Sequence, residues 1–309
     1  MRTVQLPLPL ARAMARASLG TILTTRLSWA QQRALLDLVA KVVPLPPNTT
    51  VEPLVLGGRP AERVTVGTPD RATAVLHLHS GGYTTASPVT HRSFAALIAR
   101  DTGSAVYLLD YRLAPEHPYP AAIDDGVAAF AGLVDDIGYA PERIAITGDS
   151  AGGGLSLATA RRLLDERGIR PAALGLLSPW VDPDTVLPAT RDTVLNVNWL
   201  RACARAYRGS AETTDPGYAP LHNDLSGLPP TLIQIGTTEL FHPQAKRLDA
   251  KIRAAGGEVV LQEFPELWHC AQVQAVSIAA AADAVAQLAT FLRARLQPVD
   301  AEPGTGDLG

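Results

Sequence analysis

The chain is poor in cysteine, in aromatic residues and in net charge. Only Cys203 and Cys270 are present among 309 residues, too few for a disulfide framework and in keeping with a reducing, cytoplasmic setting. Phe, Trp and Tyr make up 5% of the chain, and the formal net charge is -3. With no lysine- or arginine-rich block, the basic surface that a nucleic-acid partner requires is excluded. No stretch approaches about 18 uninterrupted apolar residues, so no membrane-spanning helix is expected. Val4–Leu10 is apolar, and Ala11-Arg12-Ala13 has the small-x-small form of a leader cleavage site. Pro7 and Pro9 interrupt that stretch, however, and Arg12 and Arg16 follow it closely, so it is read as part of a cytoplasmic protein. Asn48-Thr49-Thr50 is then a chance match to a glycosylation acceptor.

What is present is a regular alternation of short apolar runs and longer amphipathic ones. Hydrophobic residues make up 47% of the chain, and its 309 residues could form one large α/β domain or two small ones. Val51–Leu56 and Glu62–Val66 flank Gly57-Gly58, a hairpin signal. Strands are expected at Ala74–His79, Ala105–Asp110, Ile144–Thr147, Leu174–Leu177, Leu232–Gly236 and Val259–Phe264. Helices are expected between them at 88–101, 119–137, 151–167, 243–255 and 273–295. Two hairpin strands followed by strict alternation predict an α/β fold, a mostly parallel eight-stranded sheet flanked by helices. Its core takes in residues 47–178 and 230–296. Residues 1–46, with helical patches such as Trp29–Val43, and the insertion 179–229, with a helix at Asn196–Arg208, are expected to form a helical cap over the strand ends. The Pro-, Gly- and Asp-rich residues 297–309 are expected to be a flexible tail.

In such sheets ligands bind outside the carboxyl ends of the strands, so the residues just past each strand matter most. After the β-branched run ending at Thr147 comes Gly148-Asp149-Ser150-Ala151-Gly152. A serine so placed sits on a sharp strand-to-helix turn with its hydroxyl exposed. A serine hydroxyl becomes a useful nucleophile only beside a base that is itself oriented by an acid. The chain order for this turn is Ser, then Asp or Glu, then His. Between Gly236 and Leu248 the only acidic residue is Glu239, and the only histidine beyond Phe264 is His269. Glu239 could instead be a helix-start carboxylate, and His269 a packing histidine. Acyl transfer also needs donors for an oxyanion. Ser80-Gly81-Gly82-Tyr83, just past a strand, lets the N–H groups of Gly81 and Gly82 approach a substrate oxygen, with Ala151 N–H as the third donor.

Other readings of single residues compete less well. His77 and His79 share a strand face, but no third ligand cluster accompanies them, so no metal or other cofactor is expected. His242, three residues past Glu239, is a rival base, and Cys270 lies away from the nucleophile turn. Asp149 is expected to bond with the Tyr111–Glu116 loop. Tyr83, Trp180, Trp199 and Trp268, with the Ser80 hydroxyl, are candidates for the substrate pocket.

Three segments together, His79-Ser80-Gly81-Gly82-Tyr83, Asp110-Tyr111-Arg112-Leu113-Ala114-Pro115-Glu116-His117-Pro118 and Gly148-Asp149-Ser150-Ala151-Gly152-Gly153, resemble the hormone-sensitive-lipase family of α/β-hydrolases, the bacterial family IV esterases. The resemblance spans about residues 45–295. It implies Ser150 as nucleophile, His269 as base and an oxyanion hole from Gly81, Gly82 and Ala151. Two positions depart from the family pattern. Ser80 stands where a glycine is usual, and Glu239-Leu240-Phe241-His242 replaces an Asp-Pro-Leu-x-Asp-Glu segment. The expectation is a cofactor-free serine carboxylesterase for short- to medium-chain acyl esters, its partner a small-molecule ester. The resemblance also allows a homodimer. The alternatives are amide or carbamate hydrolysis on the same residues, or a non-catalytic ligand-binding module like the plant hormone receptors of this fold.

Overall fold

Gly57 and Gly58, with φ of 55° and 78°, form the two-residue turn that joins β1 (Thr49–Leu56) to β2 (Arg59–Val66). Both positions need the left-handed region that glycine enters freely. At Gly57 a Cβ would also fall 2.3 Å from the Ala128 carbonyl carbon. Two helices, α1 (Leu8–Ile22) and α2 (Trp29–Ala40), precede this hairpin. After it come β3 (Asp70–Leu78), α3 (Pro88–Thr102), β4 (Ser104–Leu109), α4 (Ala121–Asp135), β5 (Ile144–Asp149) and α5 (Ala151–Arg167). The chain continues through β6 (Ala173–Leu177), α6 (Val197–Arg208), β7 (Thr231–Gly236), α7 (His242–Ala254), β8 (Val259–Phe264) and α8 (Ala279–Leu296). The structure, a computed structural model, describes residues 5–185 and 192–297. Most of the tail expected at 297–309 therefore lies outside the described residues.

The strands form one eight-stranded sheet in the order β1-β2-β4-β3-β5-β6-β7-β8. Only the β1–β2 and β2–β4 pairs are antiparallel; the other five are parallel. Strands β4 to β7 are buried along their whole length, which their near-continuous apolar sequences require when helices cover both faces. This is the mostly parallel α/β sheet expected from the alternation. Because β3, β5, β6, β7 and β8 run the same way, their carboxyl ends collect at one edge.

Pro7 and Pro9 start α1, Pro7 as its N-cap and Pro9 in its first turn, where no backbone N–H is needed. One local expectation is corrected. The helix expected at 273–295 begins later: Ala271–Gln274 forms a 3-10 turn and α8 starts at Ala279. No helix among the described residues is long and apolar enough to cross a membrane.

Candidate active site

Strand β5 ends at Asp149 and α5 begins at Ala151, so Ser150 alone makes the turn between them, at φ 54° and ψ -118°. Such a backbone costs about 1–3 kcal/mol and persists only when its surroundings hold it. Here Ser150 N–H donates to the Leu177 carbonyl at 2.8 Å, and the Ser150 carbonyl accepts from Trp180 N–H at 2.8 Å. The two glycines of the turn are sterically enforced. A Cβ at Gly148 would lie 2.2 Å from the Gly152 oxygen, and one at Gly152 would lie 1.9 Å from the Leu78 oxygen.

Past β8, the chain turns at Cys270 (φ 53°) and brings His269 back over the sheet edge. His269 Nε2 lies 2.9 Å from Ser150 Oγ, and His269 Nδ1 lies 2.8 Å from Glu239 Oε2. Ser150, Glu239 and His269 are all buried. The other Glu239 oxygen accepts from Gly236 N–H at 2.6 Å and from the Ser178 hydroxyl at 2.9 Å. An ionised carboxylate accepts only, so Nδ1–H donates to Glu239 and Nε2 is left to accept the serine proton. Burial works against charging the His269 ring, but the hydrogen bond and charge of Glu239, helped by Asp192 and Asp149, outweigh it and raise its pKa above 6.5.

The loop after β3 is equally constrained. Gly81 adopts φ 105°, and a Cβ there would fall 2.1 Å from the Thr85 oxygen. The Gly81 carbonyl is tied down by the N–H groups of Thr84 and Thr85. The N–H groups of Gly81, Gly82 and Ala151 donate to no protein acceptor among the described residues. Behind the loop, the Tyr111 hydroxyl donates to the His79 carbonyl at 2.8 Å. The His79 ring stacks on Tyr111 at 4.2 Å and donates from Nδ1 to the Ser80 carbonyl at 2.8 Å. Two further residues of the Tyr-Arg-Leu-Ala-Pro-Glu run act as clamps: Arg112 pairs with Asp125, and Glu116 with Arg33 of α2, both at 2.7 Å.

Asp149 does not bond with the Tyr111–Glu116 loop, as its sequence position suggested. Its carboxylate instead faces two buried rings, with His91 Nε2 3.1 Å and His77 Nε2 3.4 Å from Oδ1. Burial disfavours its ionised form, but the charge of His91 and the hydrogen bonds of His77 and His91 hold it well below the usual carboxylate range. Thus His77 turns toward His91 and Asp149, whose ligand-type atoms lie within 4.8 Å of one another, while His79 points into the oxyanion-type loop. His242 pairs with Glu263 at 2.5 Å, away from Ser150.

A cavity of about 410 Å³ reaches Ser80, Gly81, Ser150 and His269, and its remaining wall is largely apolar. Residues of α1 and α2, of the segment before α6 and of α6 itself, among them Leu19, Leu36, Leu195 and Trp199, contribute to that wall. Ser80 and Trp199 thus face the cavity. Tyr83, Trp180 and Trp268 are buried outside its lining: Tyr83 stacks on Tyr207 at 3.6 Å, Trp180 on Phe241 at 5.5 Å, and Trp268 lies under the Arg12 guanidinium. Ser178 and Asp192, like His91, were not singled out from sequence. Ser178 is the first residue past β6, the strand between β5 and β7, so topology alone places it between Ser150 and Gly236. Asp192 accepts from Leu240 N–H at 3.2 Å and from Leu195 N–H at 3.0 Å, linking the insertion to the Glu239 loop; no sequence pattern marks it.

Comparison with known proteins agrees with this geometry. A family profile described as the alpha/beta hydrolase fold matches residues 75–273. The chain is 37% identical over 228 residues to an acetyl-hydrolase of Streptomyces hygroscopicus, covering 69% of this chain and 76% of that one. It is 31% identical to an esterase of Acinetobacter venetianus, covering 90% and 93%. Among solved structures, an esterase from the bacterial hormone-sensitive lipase family superposes with a TM-score of 0.89 at 35% identity, covering 94% of this chain and 98% of the other. The chain therefore belongs to the α/β-hydrolase family, among the carboxylic ester hydrolases of the bacterial hormone-sensitive-lipase type.

Proposed function

We propose that this carboxylic ester hydrolase cleaves short- to medium-chain acyl esters through a covalent acyl-Ser150 intermediate, with His269 as base, Glu239 as its orienting acid and no cofactor. The observation that carries the reading is the continuous hydrogen-bonded line from Ser150 Oγ through both His269 nitrogens to Glu239. In the first half-reaction Ser150 Oγ attacks the ester carbonyl carbon while its proton moves to His269 Nε2. The N–H groups of Gly81, Gly82 and Ala151 receive the negative oxygen, a role worth about 3–4 kcal/mol per donor in comparable sites. Collapse of the intermediate breaks the ester C–O bond, and the leaving alcohol takes the proton from Nε2. Water then gives a proton to the same nitrogen and attacks the acyl carbon. Release of the acid returns the proton to Ser150. Glu239 keeps Nδ1 protonated and stabilises the imidazolium present in both steps. The apolar wall of the cavity supports an acyl group with a hydrocarbon chain.

A fluorophosphonate probe tests the assignment. Wild type is expected to be labelled on Ser150, and Ser150→Ala to be unlabelled with kcat reduced by roughly 10⁶. Turnover by Ser150→Ala near the wild-type rate would overturn it.

A further inference from the structure

Seven of the ten large hydrophobic side chains exposed among the described residues fall between positions 10 and 45. Leu10 and Met14 lie one turn apart on α1. Leu35, Leu38, Val39 and Val42 follow the spacing of a single helical stripe on α2 and its C-terminal end, but this stripe faces outward rather than into a core. Charge sets the region apart as well. Residues 5–47 carry Arg12, Arg16, Arg26, Arg33 and Lys41 against one acid, Asp37, a net charge of +4 in a chain of -3. Asp37 already accepts a hydrogen bond from Ser87 at 2.6 Å, whereas Arg16, Arg26 and Lys41 are exposed. The patch also shares residues with the cavity: Met14, Val39 and Leu45 are exposed and line it, so the cavity that reaches Ser150 extends to this face.

We propose that the α1–α2 face docks on an anionic lipid bilayer, and that the cavity receives esters from the lipid phase. Apolar side chains flanked by unneutralised cations are the pairing that peripheral attachment to anionic membranes uses. Charge argues against a second copy as the occupant: Arg33 is neutralised by Glu116, but a two-fold contact through this face would still set the exposed Arg16, Arg26 and Lys41 of one copy against those of the other. Delivery of lipid-phase esters rests on the hydrolase reading above; docking itself does not.

Binding is therefore measured with the full-length Ser150→Ala protein, which cannot consume the vesicles. It is expected to float with phosphatidylcholine vesicles containing phosphatidylglycerol, and to float less with phosphatidylcholine alone or at high salt. Leu38→Glu/Val42→Glu changes side chains that are 62% and 80% exposed and outside the cavity wall. It is expected to weaken binding about tenfold or more. In the Ser150 background its kcat/KM on a water-soluble p-nitrophenyl ester should stay within about twofold of wild type. Arg16→Glu/Lys41→Glu should weaken binding to the anionic vesicles alone. Three results would overturn docking: no flotation, flotation indifferent to both variants, or a dimer that Leu38→Glu/Val42→Glu dissociates. Flotation with full turnover by Ser150→Ala would instead overturn the catalytic assignment and leave docking intact.

Discussion

The indole N–H of Trp199 donates to the side-chain oxygen of Gln32 at 2.7 Å, joining residues 167 positions apart. Gln32 is fully buried, and its amide nitrogen donates to the carbonyls of Thr24 and Leu27 at 3.1 and 2.9 Å. One amide thus ties the turn between α1 and α2 to α6, and all its polar groups are satisfied. Gln32→Leu keeps the bulk and removes the partners of the Trp199 indole N–H and the Leu27 carbonyl, each costing about 1–3 kcal/mol when buried and unpaired. Urea denaturation should show that loss. Kinetics should show KM rising more than kcat falls, because the cavity wall loosens while Ser150 and His269 remain in place.

Glu239 supplies the second prediction. As the proposed base, His269 must be neutral to take the serine proton, and its pKa is raised above 6.5, so the acid limb of kcat/KM should have its midpoint above 6.5. Activity falls as pH drops through that midpoint. Glu239→Gln removes the charge that opposes burial, so the midpoint should move to lower pH while the plateau drops by about 10²–10⁴-fold. Rate profiles from pH 5 to 9 check both. A midpoint unmoved in Glu239→Gln would place the orienting charge elsewhere.

The sequence was most legible where topology leaves few choices. Ser150, Glu239 and His269 each lie at a strand's carboxyl end, and at each place the chain offers one residue of the required type. The paired glycines of the β1–β2 turn were legible for a similar reason, since only glycine enters that backbone region easily. Side-chain direction was not legible. His77 and His79 have the spacing of one strand face, but β3 ends at Leu78, so His79 leaves the strand and bonds the Ser80 carbonyl while His77 faces Asp149. Tyr83, Trp180 and Trp268 show the same limit: a large aromatic near a strand end serves packing as readily as a pocket.

Ser80, where the family pattern has glycine, supports a third prediction. Its hydroxyl lies 3.3 Å from His91 Nε2, and that ring contacts Asp149, the residue before the nucleophile. The oxyanion-type loop and the Ser150 turn are therefore braced through one histidine. Ser80→Gly removes the brace and adds backbone freedom beside two existing glycines, a loss of about 1 kcal/mol. Thermal denaturation should detect it, and kcat should fall with KM little changed, because in the proposed mechanism the loop N–H groups act on the transition state. Ser80→Ala should retain more of the rate, since it loses only the bond.

Acid should weaken the fold through His79. Burial first, then the charge of His91, lowers its pKa from 6.5 to about 3, and burial also lowers that of His77. The unfolded chain takes up these protons as pH falls below 6.5, while the folded chain refuses them until about 3 for His79. Stability is thus present above 6.5 and lost as pH falls through that window, by up to about 1.4 kcal/mol per pH unit for each refused proton. His79→Asn keeps a donor near Nδ1 but has no ring to titrate. It should lower stability at pH 7 and flatten the dependence between pH 6.5 and 5. An unchanged slope in denaturation series at the two ends would sink this account.

Acyl length offers the last test, because the cavity is apolar and finite. Each methylene buried in it should contribute about 0.8 kcal/mol, near fourfold in kcat/KM, until the wall is reached. With about 410 Å³ available, the series of p-nitrophenyl esters should rise from acetate through several methylenes and then fall. Leu19 lines the cavity from α1, so Leu19→Trp should move the maximum to shorter chains while leaving acetate hydrolysis nearly unchanged. A profile that falls steadily from acetate in wild type would mean that the acyl chain does not enter this cavity, and the alcohol side of the ester would then be the group it holds.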